Sequence, residues 1–349
     1  MKSKGVLKVL IIVLVLGLFI VENAFTQGKK QYKVGCVAFY NLENLFDTIP
    51  GSNDVQFTPD GVNKWNYEKY NQKLDHMSTV ISQIGSEMFP GGPALIGVSE
   101  IENRSVVEDL VNTPKLKASK YSFVHYESPD RRGIDVALLY RKDFFRVVSS
   151  RSVRLIRKDD TTWRSRDQLV VSGMFDNELI HIIVNHWPSR SGGEKRSQPF
   201  RQAAAELTKS IVDSIFKTDI NSKIFIMGDL NDDPVNSSLT NSLTAKGNMD
   251  DVKKGELFNP MWKLFKDGTG SIAYQDTWSL FDQIIVSEPL LGSDKSTLKF
   301  FKAKVFNSPL VLQKEGQFKG YPLRTYVGNT WQGGYSDHLP VYVFILKEK

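Results

Sequence analysis

Six apolar runs in this chain carry, at one end, a side chain suited to a metal ion or a phosphate, and this pattern narrows the possible folds more than any other feature. Four have the group at the C-terminal end: Val37-Ala38-Phe39-Tyr40 before Asn41, Leu95 to Ser99 before Glu100, His181 to Asn185 before His186, and Ile224 to Gly228 before Asp229, with Asn231 two residues on. Two are inverted. Asp282 precedes Gln283-Ile284-Ile285-Val286, and Asp337-His338 precede Leu339-Pro340-Val341-Tyr342-Val343-Phe344. If the runs are strands of packed sheets and the inverted pair points the opposite way, all these groups gather on one edge. Carboxylates, carboxamides and imidazoles gathered there are what a hard divalent cation and a phosphate need.

With 349 residues, 41% of them hydrophobic, the chain can bury a large core, and no linker divides it. Lys2, Lys4 and Lys8 precede an apolar run from Val9 to Val21 and the small-residue stretch Ala24-Phe25-Thr26. That is the layout of a secretory signal peptide, and the run is shorter than the ~20 apolar residues of a membrane span. The expectation is a leader over residues 1–26, one domain over 27–349, and a secreted or periplasmic mature protein. Cys36 is the only cysteine, so no internal disulfide can form. The net charge of +6 stays modestly basic after the leader is lost, which suits a polyanionic substrate.

Tyr67, Tyr70, Leu74, Met77, Ile81 and Ile84 recur at helical spacing, predicting a helix over 66–83. Ser105 to Glu108 reads as a capping box opening a second helix that closes before Pro114. From Tyr121 to Val184 the chain reads mostly as strands, with Asp176-Asn177 as a hairpin turn. Ala203, Ala204, Leu207, Ile211 and Ile215 mark a third helix, while Ser189 to Pro199 is polar enough to be a loop. Helices alternating with strands early and late, around a run of hairpins, predict an α/β (α+β) fold of two packed mixed sheets flanked by helices.

Gly228-Asp229-Leu230-Asn231 is the most informative motif, because a strand ending this way exposes a carboxylate and a carboxamide two residues apart. Asp and Asn are also ordinary turn formers, so the motif means little alone. Ser336-Asp337-His338 adds a carboxylate beside a histidine, and with Asp282 against the ring the pair can serve as an oriented base or as a charged phosphate clamp.

Taken in order, Asn41-Leu42-Glu43-Asn44, Ser99-Glu100-Ile101-Glu102-Asn103, Asn185-His186-Trp187, Gly228-Asp229-Leu230-Asn231, Phe281-Asp282-Gln283-Ile284 and Ser336-Asp337-His338 resemble the endonuclease/exonuclease/phosphatase superfamily, of deoxyribonuclease-I-like fold. Within it, Glu-Ile-Glu-Asn and Asn-His-Trp-Pro-Ser look most like bacterial extracellular nucleases. The resemblance implies a four-layered α/β sandwich. It also implies that Glu100 ligates a divalent metal with Asp337 on or near its shell, and that Asn41 and Asn231 orient the phosphate and metal-bound waters. Asp229 would deprotonate the attacking water, His186 and His338 would stabilise charge on the phosphoryl oxygens, and Asp282 would fix the ring of His338. The oxygen-rich set favours Mg²⁺ or Mn²⁺ over zinc.

Gln283 stands where several relatives carry Arg, so Arg131, Arg132 and Arg190 are candidates for the missing phosphate contact. Trp163-Arg164-Ser165-Arg166, Trp187, Arg190, Lys195, Arg196 and Arg201 mix cations with aromatics near the motifs, a composition suited to nucleic acid. The expectation is a monomeric, metal-dependent nuclease acting on DNA or RNA, with no stable membrane association once the leader is cleaved. A lipid-directed phosphodiesterase or phosphatase would need an apolar docking hairpin, for which 260–265 is the candidate. A binding module that has lost catalysis is the third reading.

Overall fold

The computed structural model describes residues 30–51, 55–157 and 159–349, so the expected leader lies outside the described residues. Val34–Lys347 form one compact unit, while Lys30 and Glu348, paired at 2.9 Å, belong to a small terminal unit. The elements run β1 (Tyr32–Leu45), α1 (Tyr67–Gln83), β2 (Leu95–Ile101), α2 (Arg104–Asn112), α3 (Pro114–Ala118), β3 (Tyr121–His125), β4 (Asp135–Arg141), β5 (Phe145–Val153), β6 (Gln168–Phe175) and β7 (Glu178–His186). They continue with α4 (Glu194–Thr218), β8 (Lys223–Asp229), β9 (Ala245–Lys246), β10 (Leu257–Phe258), α5 (Met261–Lys266), β11 (Ile272–Tyr274), β12 (Thr277–Ser279), β13 (Asp282–Ser287), β14 (Lys299–Val305), β15 (Tyr326–Val327), β16 (Thr330–Trp331) and β17 (Val341–Glu348).

Side-chain alternation sorts β8 into two layers. Phe225 and Met227 enter the core shared with the first sheet, whereas Ile224 and Ile226 face Ala204, Ala205, Ile211 and Val212 of α4. Both faces are therefore buried, which is why the run reads as continuous rather than alternating. One large sheet has the order β14-β17-β1-β2-β4-β3 and the other β5-β6-β7-β8-β13-β10-β9. Both are mixed: β1–β2 and β7–β8 are parallel, while β2–β4 and β8–β13 are antiparallel. The sheets press together at Gly97, where a Cβ would lie 2.7 Å from Met227 Sδ. Met77 and Ile81 of α1 and Val107 and Leu110 of α2 join the core of the first sheet. The expected two-sheet architecture with flanking helices is present.

Local signals were read with mixed success. Asn66 caps α1 by accepting from Lys69 N, and the Asp176-Asn177 turn has both residues at positive φ, 45° and 65°, as a type I′ hairpin requires. The cap of α2 is Asn103, which accepts from Val106 N, so the capping box placed at Ser105 is two residues late. The expected loop over 189–199 is half helix, because α4 begins at Glu194 and carries Pro199 inside it. Two of its polar residues turn inward: Ser197 and Arg201 are buried, and Arg201 Nε lies 2.7 Å from Asp232 Oδ1. The segment weighed as a lipid-docking hairpin is α5, with Met261 buried and Leu264 and Phe265 packed on the core. Among the described residues no helix is long and apolar enough to cross a membrane.

Candidate active site

The inverted order of the motifs is resolved by strand direction. In the second sheet His186 is opposite Asp229 in the parallel β7–β8 ladder, and Asp282 is opposite Asp229 in the antiparallel β8–β13 ladder. The last residues of β7 and β8 and the first of β13 thus occupy one row. In the first sheet Glu100 departs from alternation. Between Ser99 and Ile101 it has no partner on β4, and its φ of 58° puts it in the left-handed region, so it is the extra residue of a bulge. The same irregularity on β1 spans Asn41 to Leu45, where Glu43 and Asn44 also have positive φ. Bulging re-aims Glu100 out of the sheet toward the site.

Asp229 is the hub. Its Oδ2 accepts from Asn41 Nδ2 at 3.1 Å and its Oδ1 from Asn231 N at 3.0 Å. His186 Nε2 lies 3.6 Å and His338 Nε2 3.8 Å from Oδ2, and His186 Nε2 is also 3.9 Å from Glu100 Oε1. His338 is oriented by Asp282, whose Oδ2 accepts from its Nδ1 at 2.6 Å; the same oxygen accepts from Ser271 Oγ at 2.6 Å. Burial pushes the Asp229 carboxyl up to about 7 against the opposing effect of His338, with Asp282 and Glu100 adding to the rise. Burial alone would depress His338, but Asp282 and then Asp229 overcome it and hold the imidazole well above its ordinary range. His186 is held well below its ordinary range by burial, then by Arg166 and Arg132. The two histidines therefore differ: the surroundings favour the cationic form of His338 and the neutral, hydrogen-bonding form of His186.

Glu100 and Asp337 are more open. Glu100 Oε2 accepts from Asn44 N at 3.1 Å, and Arg132 lies 3.3 Å from both Glu100 oxygens. Asp337 Oδ2 accepts from Arg324 Nη2 at 2.6 Å, and Arg324 Nε lies 3.5 Å from the buried Glu43. A divalent metal fits this donor set: two hard carboxylates, part exposed, each now balanced by an arginine that a metal charge would release. A separate trio, His125 at the end of β3, Glu127 in the following connection and Asp135 at the start of β4, brings ligand-type atoms within 4.8 Å of one another. Its members are already bonded, His125 Nε2 to Asp135 Oδ2 at 2.9 Å and Ser128 Oγ to Asp135 Oδ1 at 2.6 Å.

Two of the three expected substrate contacts change character. Arg132 is at the mouth as expected, half-exposed beside Glu100. Asn41 is buried with both ends committed, Nδ2 to Asp229 and Oδ1 to Glu43 N at 2.9 Å, so it orients the carboxylate rather than the phosphate. Arg190 is not a phosphate ligand here: it donates to Asn231 O, Asp232, Asp233 and Asn236 and stacks on Phe281 at 4.5 Å. Asn231 Nδ2 is likewise spent on Trp187 O at 2.9 Å, leaving its oxygen to offer. The basic and aromatic surface dissolves in part, since Trp187, Arg166 and Arg201 are buried. Gln283 is buried too, donating to Asp232 O at 2.7 Å, so it serves the loop after β8 and not a substrate.

Two further groups position the site in a way the sequence did not signal. Arg166 donates to the carbonyls of His186 and Trp187 and to Asp130, fixing the end of β7. Lys73, on α1, is buried and donates to Thr325 Oγ1 and Tyr335 O, clamping the segment that leads to Asp337 and His338.

A model of the endonuclease/exonuclease/phosphatase family matches residues 36–347. The chain belongs to the endonuclease/exonuclease/phosphatase family. Enzymes of this family are divalent-metal-dependent phosphoesterases, and the chain is a phosphoric ester hydrolase of that class. No curated protein sequence matches it. Among solved structures, a humanized D. rerio TDP2 is similar at TM-score 0.55 and 12% identity, covering 89% of this chain and 98% of that one. An endonuclease/exonuclease/phosphatase family protein from Bacteroides thetaiotaomicron matches at TM-score 0.55 and 18% identity, covering 92% and 97%. A mannosyl-6-phosphatase from Bacteroides thetaiotaomicron VPI-5482 matches at TM-score 0.54 and 17% identity, covering 89% and 99%. At these identities the likeness is one of fold.

Proposed function

We propose that the protein is an exported, Mg²⁺- or Mn²⁺-dependent nuclease that hydrolyses phosphodiester bonds in DNA or RNA. The observation that carries the hydrolytic part is the approach of both imidazole Nε2 atoms to Asp229 Oδ2, at 3.6 and 3.8 Å. A phosphoryl group seated there meets a base, a cation and a neutral donor at once. Asp229, ionised, takes a proton from water as the water oxygen bonds to phosphorus. The bond from phosphorus to the leaving oxygen breaks, and that oxygen takes a proton from solvent. His338, held cationic by Asp282, and His186 donate to the oxygens on which charge builds. Glu100 and Asp337 would hold the metal, which supplies Lewis-acid polarisation of a phosphoryl oxygen.

Support for nucleic acid is the exposed trio Arg164, Lys195 and Arg196, with Arg132 at the mouth. The lipid reading loses its docking segment to the core packing of α5. The test is hydrolysis of plasmid DNA, single-stranded RNA, a short-chain phospholipid and mannose phosphate, each with Mg²⁺ and with EDTA. Cleavage of a nucleic acid that EDTA abolishes is expected; activity confined to the phospholipid or the sugar monoester overturns the nuclease reading. Export rests on the leader, and intact mass of secreted protein should begin near Gln27.

A further inference from the structure

A pocket of about 470 Å³ opens beside the active site, with Arg324 and Asp337 at one end. Three aromatic rings line it, Tyr274, Phe318 and Tyr321, together with the amides of Gln313, Gln317 and Gln332. Tyr274 is 73% and Phe318 43% exposed, so two large rings stand uncovered in one concavity. Rings gathered uncovered in one concavity, rather than scattered singly, mark a groove suited to a ligand. The walls are built rather than loose. Tyr321 Oη donates to Asp276 Oδ1 at 2.6 Å and accepts from Asp276 N at 2.8 Å, joining the β11–β12 turn to the segment that carries Phe318. Ile272 of β11 bridges to His338, which fixes this wall against the catalytic histidine.

Chemistry selects the occupant. Rings offer flat faces for stacking, and each glutamine offers a donor and an acceptor, which match the edge of a planar heterocycle. The one cation present, Arg324, is committed to Asp337 and Glu43. On the other flank, the cleft beside Arg132 is lined by Glu102, Glu127, Asp130 and Asp135, which repel a polyanion. A nucleic-acid strand crossing the site therefore finds a stacking surface on the aromatic side and like charge on this flank.

We propose that this pocket binds the nucleobase next to the scissile phosphate, so that the enzyme acts on strands whose bases are unpaired. The proposal rests on the nuclease reading, and the two fail separately. The comparison is between p-nitrophenyl thymidylate and bis(p-nitrophenyl) phosphate, a diester without a base, using the mature protein with Mg²⁺. The base-bearing diester should be preferred in kcat/KM. In a Tyr274→Ala/Phe318→Ala variant that preference should fall roughly tenfold, mostly through KM, the scale of one lost base-on-ring stack. Titration of thymidine monophosphate in EDTA should show the same weakening, and unchanged Tm confirms that the exposed positions leave the fold intact. A preference that survives the double substitution, or equal kcat/KM on the two diesters, overturns the pocket and leaves the nuclease reading standing. If neither diester is cleaved while a phosphomonoester is, the nuclease reading falls. The titration then decides the pocket alone: unaltered thymidylate affinity in the variant, or tighter binding of mannose phosphate, overturns it.

Discussion

Two pairs of carboxylates line the active site and are held by opposite means. The Glu100 and Asp337 side chains are 12% and 24% exposed and lean on arginines; those of Asp229 and Asp282 are 3% and 0% exposed and lean on His338. Water still reaches the first pair, each of which an arginine now balances and a stronger counter-ion would claim. The second pair is cut off from water, and burial pushes the Asp229 carboxyl up to about 7, so the protonation of Asp229 is poised rather than fixed. One half of the site suits metal capture, the other proton movement.

The largest test of this division is Asp229→Asn. It should lower kcat by roughly a hundredfold or more, the scale of a lost general base, with no rescue by added metal. The same substitution should raise stability at alkaline pH. With a folded pKa of about 7, above the ordinary carboxylate value, the native state binds the extra proton between those limits, so wild-type stability falls as pH rises through that window. The gain in Tm of the variant, measured by calorimetry in EDTA, should be full above pH ~7 and vanish below pH ~4. Equal Tm values at pH ~8 would put Asp229 in the screened class with Glu100.

Glu100→Gln should act next most strongly and differently. The Mg²⁺ concentration for half-maximal activity should rise about tenfold or more, with activity recovered at saturation, because a ligand charge is gone. If metal rescues Asp229→Asn and not Glu100→Gln, the two halves have exchanged roles.

Asp282→Asn should cost less, about tenfold in kcat, through a misoriented ring. Removing that negative charge also lowers the pKa of His338, so the alkaline limb of the pH–rate profile should move to lower pH. An unmoved limb would mean that His338 is not the titrating acid.

Lys195→Ala/Arg196→Ala should have the smallest effect, a shallower salt dependence of KM with kcat preserved, since fewer counterions are displaced. Arg190→Ala, by contrast, should lower Tm, because its guanidinium braces the loop after β8. An altered salt slope from Arg190 alone would return it to the substrate surface.

The sequence displayed which residues meet far better than how each is held. His186, Asp229 and Asp282 were legible because an apolar run followed or preceded by one polar group marks a strand end, and strand direction then aligns them in a row. Arg190, Arg201 and Arg166 were misread because an arginine beside a motif looks solvent-facing until its partner is known. Those partners, Asp232 and Asp130, lie more than thirty residues away along the chain. Trp187 is buried as well, its indole donating to Asn185 Oδ1 inside the sheet. The aromatic pocket was invisible because Tyr274 and Phe318 come from separate segments without periodicity.

The bulge at Glu100 makes this site sensitive to chain length more than to composition. β4 passes directly from the partner of Ser99 to the partner of Ile101, so Glu100 exists only as surplus backbone. Swapping its neighbours for other apolar residues would leave its aim alone. Deleting one residue between Ser99 and Ile101 would restore perfect pairing, tidy the sheet, and abolish the carboxylate's reach. Natural variants of this chain should therefore tolerate indels in the loop between β1 and α1 and exclude them from the last three positions of β2.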